Sequence, residues 1–366
     1  MNYCGYIMSG NDAVASIIDN NIEPIIKEKM PLYLANGGSF PEWLVSRAID
    51  RHRPNSRILK KMLRLSDTSD IYTVLYAHAA TITDNYWVKS ENDNLTYDEV
   101  SFKVNYFADI ALIGSARSYN RELTQKELSS NTPELTSIGS YEKCWKQENG
   151  SWYMYKQGNE LERFSEIFIS KLTKQLGFPS AEYIPDNKYI KTKDFTEGKY
   201  NFEPMASLVG DNEDYILNYD KLLNINKVLA KQYLDILFID TLCFNMDRHT
   251  YNYGLLRDKK TGEIISMAPN FDNNIALISR GYSDNAKNTS NLLIELLGEL
   301  LKEKNISYDL PAVPQEAVIR IAEASLPDEK IDRSYVAEFV MDRYERMKQL
   351  IQSLDSRQSN DFQIKM

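Results

Sequence analysis

The sequence predicts an α+β protein with a strand-rich middle segment and a mostly helical C-terminal part, preceded by an N-terminal α/β region. In the middle segment, "YEKCWKQENGSWYMYKQG" has two aromatic-rich runs joined at Glu148, Asn149 and Gly150, a typical hairpin signal. In the C-terminal part, "VLAKQYLDILFIDTLCFN" and "YVAEFVMDRYERMKQLI" have the apolar content and spacing of buried and half-buried helices. The N-terminal region mixes short strands with helical signals, such as the i, i+3, i+4 apolar spacing of "PEWLVSRAID" at 41–50.

The length and a change in composition predict the domain organisation. At 366 residues, the chain is longer than the roughly 250 to 300 residues at which single cores stop growing. A polar stretch with Pro133 separates the N-terminal region from the hairpin segment. We predict an N-terminal region at 1–130 that selects a substrate or partner, a hairpin segment at 131–203, and a helical segment at 204–366.

Charge and cysteine content exclude several classes of protein. A formal net charge of −9 argues against direct nucleic-acid binding, which depends on clustered Lys and Arg. The 3 cysteines are far apart and form neither a disulfide framework nor a metal knuckle. The first residues, "MNYCGYIMSG", lack the basic and apolar pattern of a leader, so we expect none, and no apolar run is long enough to span a membrane. We therefore expect a cytoplasmic protein that binds neither nucleic acid nor a membrane.

The motif with the strongest chemical content is "DRHTYN" at 247–252. It is followed by a strand, a turn at Gly262, a second strand and a new acid, Asp272. Because a hairpin brings its two ends together, Asp247, Asn252 and Asp272 are expected to converge at one site. Asp247 can orient and deprotonate a hydroxyl, while Asn252 and Asp272 supply oxygen ligands for Mg²⁺.

The same three letters, DRH, also open "DRHRPN" at 50–55, but in a different context. A helix pattern follows Asn55, so Asn55 or Ser56 is predicted to cap a helix and Pro54 to form a turn. No hairpin ending in an acid follows. We predict a structural role for this copy, since a motif counts only in its context.

A phosphate-binding loop and a lysine are expected upstream of the catalytic segment. The stretch "TSIGSYEK" places Ser137, Gly139 and Ser140 before the hairpin, and the second hairpin strand ends at Lys156. The order along the chain is then loop, lysine, helix, catalytic segment and metal acid. The following helix, ended by Gly177 and Pro179, offers three acids that can pair with the lysine: Glu160, Glu162 and Glu166.

Other chemistries fit the sequence less well. The 3 histidines, His52, His78 and His249, form no pair at helical ligand spacing, which argues against a zinc enzyme. There is no GxSxG motif for a hydrolase. His249 is interpreted as a packed, hydrogen-bonded residue of the catalytic segment, because Asp247 already fills the role of base.

These residues resemble the HipA-like serine/threonine kinases over about 136–272, in the order "SIGSYEK", "YMYK", "SEIFISKLTKQLGFP", "DRHTYN" and "APNFD". The resemblance implies a two-lobed protein-kinase-like fold, with 131–203 as the N-lobe and 204–366 as the C-lobe. It also implies the use of ATP and Mg²⁺ and the phosphorylation of protein hydroxyls, with an antitoxin-like inhibitory partner.

The family's residue roles transfer to the matching positions. Asp247 corresponds to the catalytic aspartate, Asn252 and Asp272 to metal ligands, and Lys156 to the lysine that contacts phosphate. The loop at 137–143 corresponds to the one that covers the nucleotide. A serine at the head of that loop is autophosphorylated in the family, which implies Ser137 first and Ser140 second.

Two departures from the family leave the substrate open. The loop is one residue shorter than the usual form, and the catalytic segment has DRH where many members have DGH. The DRH form is similar to that of phosphatidylinositol kinases. A lipid or small-molecule kinase and a catalytically silent nucleotide-binding module are therefore the alternatives.

Overall fold

The computed structural model describes residues 2–53, 56–65, 68–112, 124–128, 130–139 and 141–364, except the side chains of 126, 128 and 355–364. Contacts divide the chain into two compact units. Unit 1 comprises 1–157, 186–208 and 254–265, and unit 2 comprises 158–185, 209–253 and 266–366. These bounds differ from the domain boundaries that we predict at 131 and 204.

The secondary structure is mixed, as expected for an α+β chain. The strands are β1 Gly5–Ser9, β2 Asp12–Ile18, β3 Asn21–Pro24, β4 Tyr86–Ser90, β5 Lys143–Glu148, β6 Ser151–Lys156, β7 Tyr183–Asp186, β8 Tyr189–Lys193, β9 Tyr200–Pro204, β10 Gly254–Asp258 and β11 Ile264–Met267. The helices before 200 are α1 Leu32–Ala35, α2 Phe40–Val45, α3 Ser56–Met62, α4 Asp70–Tyr76, α5 Tyr97–Val100, α6 Ala108–Ala111, α7 Gln125–Leu128 and α8 Glu160–Gln175. Those after 200 are α9 Ala206–Val209, α10 Tyr215–Ile225, α11 Lys227–Cys243, α12 Leu292–Glu303, α13 Gln315–Glu323 and α14 Arg333–Ile364.

Unit 1 is built on antiparallel strands. The N-terminal sheet has the order β3-β2-β1-β4, and its inner face packs apolar side chains such as Ile7, Val14 and Tyr86 into one core. In a second sheet, β6 lies between β5 and β8. The predicted hairpin β5–β6 is present, with Asn149 and Gly150 both at positive φ, as a tight two-residue turn requires.

The N-terminal residues and the later strands of unit 1 share a buried polar cluster. Arg257 on β10 pairs with Glu203 on β9 at 2.8 Å, and it also donates to the Tyr86 hydroxyl at 3.0 Å and to the Met30 carbonyl at 2.7 Å. The Glu203 side chain in turn accepts from the backbone N–H of Leu32 at 3.1 Å. The predicted hairpin after the catalytic segment is therefore fixed to the N-terminal region.

Unit 2 is mainly helical. Helix α8 starts with a capping box between Asn159 and Glu162 and ends before Gly177, as the sequence predicts. Helix α11 is buried around most of its circumference, which explains its strongly apolar sequence. It ends at Cys243, and the next residue, Phe244, is in the left-handed conformation at φ 53°. This sharp C-terminus directs the chain into the predicted catalytic segment.

Candidate active site

The catalytic segment is fixed where it leaves helix α11. The backbone N–H of Asn245 bonds the Asp240 carbonyl at 2.8 Å, and the Asn245 side-chain oxygen accepts from the backbone N–H of Asp247 at 3.1 Å. The carbonyl of Cys243 accepts from the backbone N–H of Leu277 at 2.8 Å. Asp247 is therefore held in a defined turn, with its side chain partly exposed.

Arg248 lies at the centre of this region, and its side chain is only 2% exposed. Its guanidinium forms a bidentate pair with Asp240 of helix α11, at 2.9 Å to each carboxylate oxygen. It also donates to the carbonyl of Asn252 at 2.7 Å and to that of Phe271 at 2.6 Å. One side chain thus joins the helix, the catalytic segment and the segment that carries the predicted metal acid.

Asp272 is held from both sides. The preceding residue, Phe271, accepts a hydrogen bond from Arg248 at its carbonyl. The following residue, Asn273, accepts one from the same guanidinium at its Oδ1, at 2.7 Å. The backbone N–H of Asn273 donates to Glu166 of helix α8 at 2.7 Å. The backbone of Asp272 is in the left-handed region at φ 60°, a conformation that costs free energy in a non-glycine residue. The surrounding bonds hold this conformation in place.

Asn252 is oriented by the residues that precede it. Its side-chain nitrogen donates to the Asp247 carbonyl at 3.0 Å, and its backbone N–H donates to the His249 carbonyl at 2.8 Å. Because the amide nitrogen is used in this way, the amide oxygen is the atom that Asn252 can offer to a metal.

The carboxylates of Asp247 and Asp272 influence each other electrostatically. Burial is the main cause that raises the pKa of Asp247, and the negative charge of Asp272 raises it further. His249, Arg248 and Arg280 act in the opposite direction. Two carboxylates that repel each other favour the binding of a cation between or beside them.

The residue types fit a magnesium ion that is shared with nucleotide phosphates. Mg²⁺ is commonly held by one or two protein carboxylates together with phosphate oxygens and water, without a dedicated protein cage. Asp272 and Asn252 provide such a partial set of ligands. Among the residues that the structure describes, no group of three or more His, Cys, Asp and Glu residues is arranged to hold a metal.

Ser137, Gly139 and Lys156 belong to unit 1, and Ser140 lies outside the described residues. Lys156 ends β6 directly opposite Lys143 of β5, and both lysines are buried, with exposures of 6% and 9%. Gly139 has a φ of 106°, a backbone conformation that residues with a side chain rarely adopt. Glycine is therefore required where the loop turns.

The three candidate acids of helix α8 have different environments within unit 2. Glu160 is exposed, whereas Glu162 accepts from the backbone N–H of Asn159 at 2.9 Å in the capping box. Glu166 is fully buried and bonds the backbone beside Asp272. Glu166 is thus the acid that is built into the candidate site. The interpretation of His249 as a packed residue agrees with the bond that its Nδ1 accepts from Tyr251 N–H at 3.3 Å.

The first DRH copy has a local structural role, as predicted. Asp50 accepts from the backbone N–H of His52 at 2.8 Å, and Arg51 forms an exposed pair with Asp70 at 2.7 Å. Asn55 and Pro54 lie outside the described residues, and helix α3 begins at Ser56.

Sequence reasoning missed Arg248, Asp240 and Asn273 as organisers of the site. The arginine between Asp247 and His249 was the available signal. A large charged residue in that position needs buried partners, and Asp240 lies eight residues earlier on a predicted buried helix.

No family model matches the chain, and no curated protein sequence matches it. Solved structures do match. The HipA structure from Shewanella oneidensis, determined as a toxin–antitoxin complex with HipB and operator DNA, covers 96% of this chain and 98% of its own, with a TM-score of 0.59 and 12% identity. The proinflammatory kinase CtkA of Helicobacter pylori covers 61% of this chain and 95% of its own, with a TM-score of 0.40 and 19% identity.

The match to HipA extends over nearly the whole chain, N-terminal region included. At this level of identity, the match establishes the fold. The chain therefore has the protein-kinase-like fold of HipA, and the resemblance to HipA-like kinases that the sequence predicts is confirmed at the level of the fold.

Proposed function

We propose that the chain is an ATP-dependent phosphotransferase that transfers the γ-phosphate to a Ser or Thr hydroxyl of a protein. The observation that carries this proposal is the buried Arg248 network. The Arg248 guanidinium donates to the carbonyls of Asn252 and Phe271. Since Arg248 directly follows Asp247 and Phe271 directly precedes Asp272, these bonds help to fix the backbone beside both carboxylates. Phosphoryl transfer depends mainly on such positioning of carboxylates and metal ligands around the phosphates.

In this proposal, each residue has a distinct role. Asp247 accepts the proton of the attacking hydroxyl, and its raised pKa makes it a better base than an ordinary aspartate. Asn252 and Asp272 hold Mg²⁺, which neutralises charge on the phosphates during transfer. Lys156 contacts phosphate.

The loop at 137–143 covers the nucleotide, with Ser137, Gly139 and Ser140 next to the phosphates. Ser137 is the proposed site of autophosphorylation, and Ser140 is the second choice. In the described conformation, Ser137 is only 6% exposed. The loop would therefore have to open before Ser137 could accept phosphate.

The substrate and partner are proposed by analogy of fold. The HipA neighbour was determined in a toxin–antitoxin complex with the protein HipB, and we propose that a partner protein binds and inhibits this chain. We place the activity in the cytoplasm. No helix within the described ranges has the length and apolar character to cross a membrane.

Incubation of the purified protein with radiolabelled ATP and Mg²⁺, followed by mass-spectrometric mapping, tests the proposal. Label on Ser137 or Ser140, or on an added protein, supports it, provided that Asp247→Asn removes the label and Asp50→Asn retains it. Label on lipid alone would favour a lipid kinase. ATP binding without any transfer would favour the catalytically silent module.

A further inference from the structure

We propose that Arg53, in the N-terminal region, is a positioning residue for the phosphate loop and thereby a determinant of affinity for nucleotide phosphates. This inference rests on the proposed function and extends it to the residue directly after the first DRH copy. Arg53 is 1% exposed, although it follows an exposed histidine and an exposed arginine.

The guanidinium of Arg53 reaches the loop directly. It donates to the Ser137 carbonyl at 2.8 Å and to the Gly139 carbonyl at 3.3 Å, and it lies 3.4 Å from the Ser137 hydroxyl oxygen. The residues are up to 86 positions apart in sequence. The fixed fork of an arginine can hold two carbonyls at once, which a lysine amine does less well.

These bonds determine the direction of a loop amide. In a trans peptide, the C=O and N–H groups point in opposite directions, and the described chain has no cis peptide. Because the Ser137 carbonyl faces Arg53, the N–H of Ile138 is directed away from it. Backbone N–H groups are the donors with which glycine-containing loops bind phosphates. Arg53 thus orients a donor toward the opposite face of the loop.

Arg53 is not itself placed to bind phosphate, because its guanidinium is buried and already donates to two loop carbonyls. Glu134 lies 3.5 Å from its guanidinium, and both side chains have no exposed surface. Glu134 is held by Asn105 at 2.9 Å and by the backbone N–H of Trp145 at 2.8 Å. The pair of Arg53 and Glu134 therefore supports the loop from the interior of unit 1.

Further bonds attach the start of the loop to the N-terminal region. In the 3₁₀ turn Pro133–Thr136, the Leu135 carbonyl accepts a hydrogen bond from the backbone N–H of Ile49 at 2.9 Å. The Thr136 hydroxyl donates to the Ala80 carbonyl at 2.5 Å. All of these residues belong to unit 1. The N-terminal region, for which the sequence predicts a role in selecting partners, thus also shapes the nucleotide loop.

The affinities of Arg53→Gln for ATP and for adenosine, measured by calorimetry with Mg²⁺, test this inference. We expect roughly tenfold weaker binding of ATP, which is the effect of losing one or two hydrogen bonds between the loop and phosphate, and unchanged binding of adenosine. In turnover assays, KM for ATP should rise while kcat changes less than about threefold. Arg51→Gln, two residues away and exposed, is the matched control and should leave both affinities unchanged.

If Arg53→Gln does not fold, Arg53→Lys provides the test, because lysine keeps the positive charge opposite Glu134 but lacks the forked guanidinium. A selective loss of ATP affinity in Arg53→Lys supports the inference. Equal losses for ATP and adenosine, or no loss in either Arg53 variant, would overturn it while leaving the proposed function intact. Absence of ATP binding to the wild-type protein would overturn both.

Discussion

The letters DRH occur twice, and the two copies differ in nearly every physical respect. In the first, Arg51 has a side chain that is 70% exposed and forms a surface pair with Asp70. In the second, the Arg248 side chain is 2% exposed and binds Asp240 and the carbonyls of Asn252 and Phe271. Identical spelling therefore gives a surface turn in one place and the organising centre of a candidate active site in the other.

The difference arises from what precedes and follows each copy. The second copy follows the buried helix α11, and Asp240 of this helix is a charged partner for Arg248 that is shielded from water. The segment after the hairpin then returns Phe271 and Asn273 to the same guanidinium. The first copy is followed by helix α3, and Arg51 stays at the surface. Burial and partners, rather than the motif, decide the role of the arginine.

The largest expected difference between the two copies is in catalysis. Asp247→Asn should lower kcat by about 10²–10⁴-fold, because it removes the proposed base. Binding of Mg·ATP should remain largely unchanged, since Asp247 acts on the attacking hydroxyl. Asp50→Asn should change neither quantity. Single-turnover assays with calorimetry check these values, and near wild-type transfer by Asp247→Asn would refute the assigned role.

The next difference concerns stability. Arg248→Gln should lower the free energy of unfolding by about 3–5 kcal/mol, because it leaves Asp240 buried without its partner. Arg51→Gln should cost at most about 1 kcal/mol, as is usual for exposed ion pairs. Urea unfolding followed by circular dichroism measures both. Equal effects of the two substitutions would contradict the contrast between the copies.

A smaller effect is expected on metal-dependent binding. Asp272→Ala should weaken Mg·ATP binding by at least about tenfold, because it removes a proposed metal ligand, and the loss of even a partner of such a ligand commonly costs about 10- to 100-fold. Asp70→Ala, which removes the acid that pairs with Arg51, is the matched control and should leave the affinity unchanged. Unchanged affinity of Asp272→Ala in calorimetry would argue against the metal role.

The smallest expected effect depends on pH. Since the pKa of Asp247 is raised in the folded protein above its ordinary value of 3.8, the ionised carboxylate opposes folding. This destabilisation is absent below that ordinary value, where the carboxyl is protonated in both the folded and the unfolded chain, and it develops as the pH rises through the raised pKa.

Asp247→Asn should therefore increase Tm at pH 7 by about 1–2 °C, and the gain should vanish in strong acid. Thermal melts across pH check the sign, with Asp50→Asn as the control. A lower Tm of Asp247→Asn at pH 7 would contradict the raised pKa.

Local sequence was sufficient to predict several elements. The Asn149–Gly150 turn, the amphipathic pattern of helix α8 and the apolar run of helix α11 each specify short-range hydrogen bonding or burial. Prediction was less accurate for "PEWLVSRAID", because helix α2 already ends at Val45. The apolar residues after Val45 suggest a longer helix. They are buried in unit 1, but the helix does not extend to them.

The sequence also yields the residues that we propose for phosphoryl transfer, because their order and their position before and after a hairpin are local features. Only the folded chain revealed which buried charges hold them. The partners of Arg248 lie up to 25 positions away, and those of Arg53 up to 86. A guanidinium removed from water must find its acceptors wherever the chain returns to it, and that return is decided by tertiary packing.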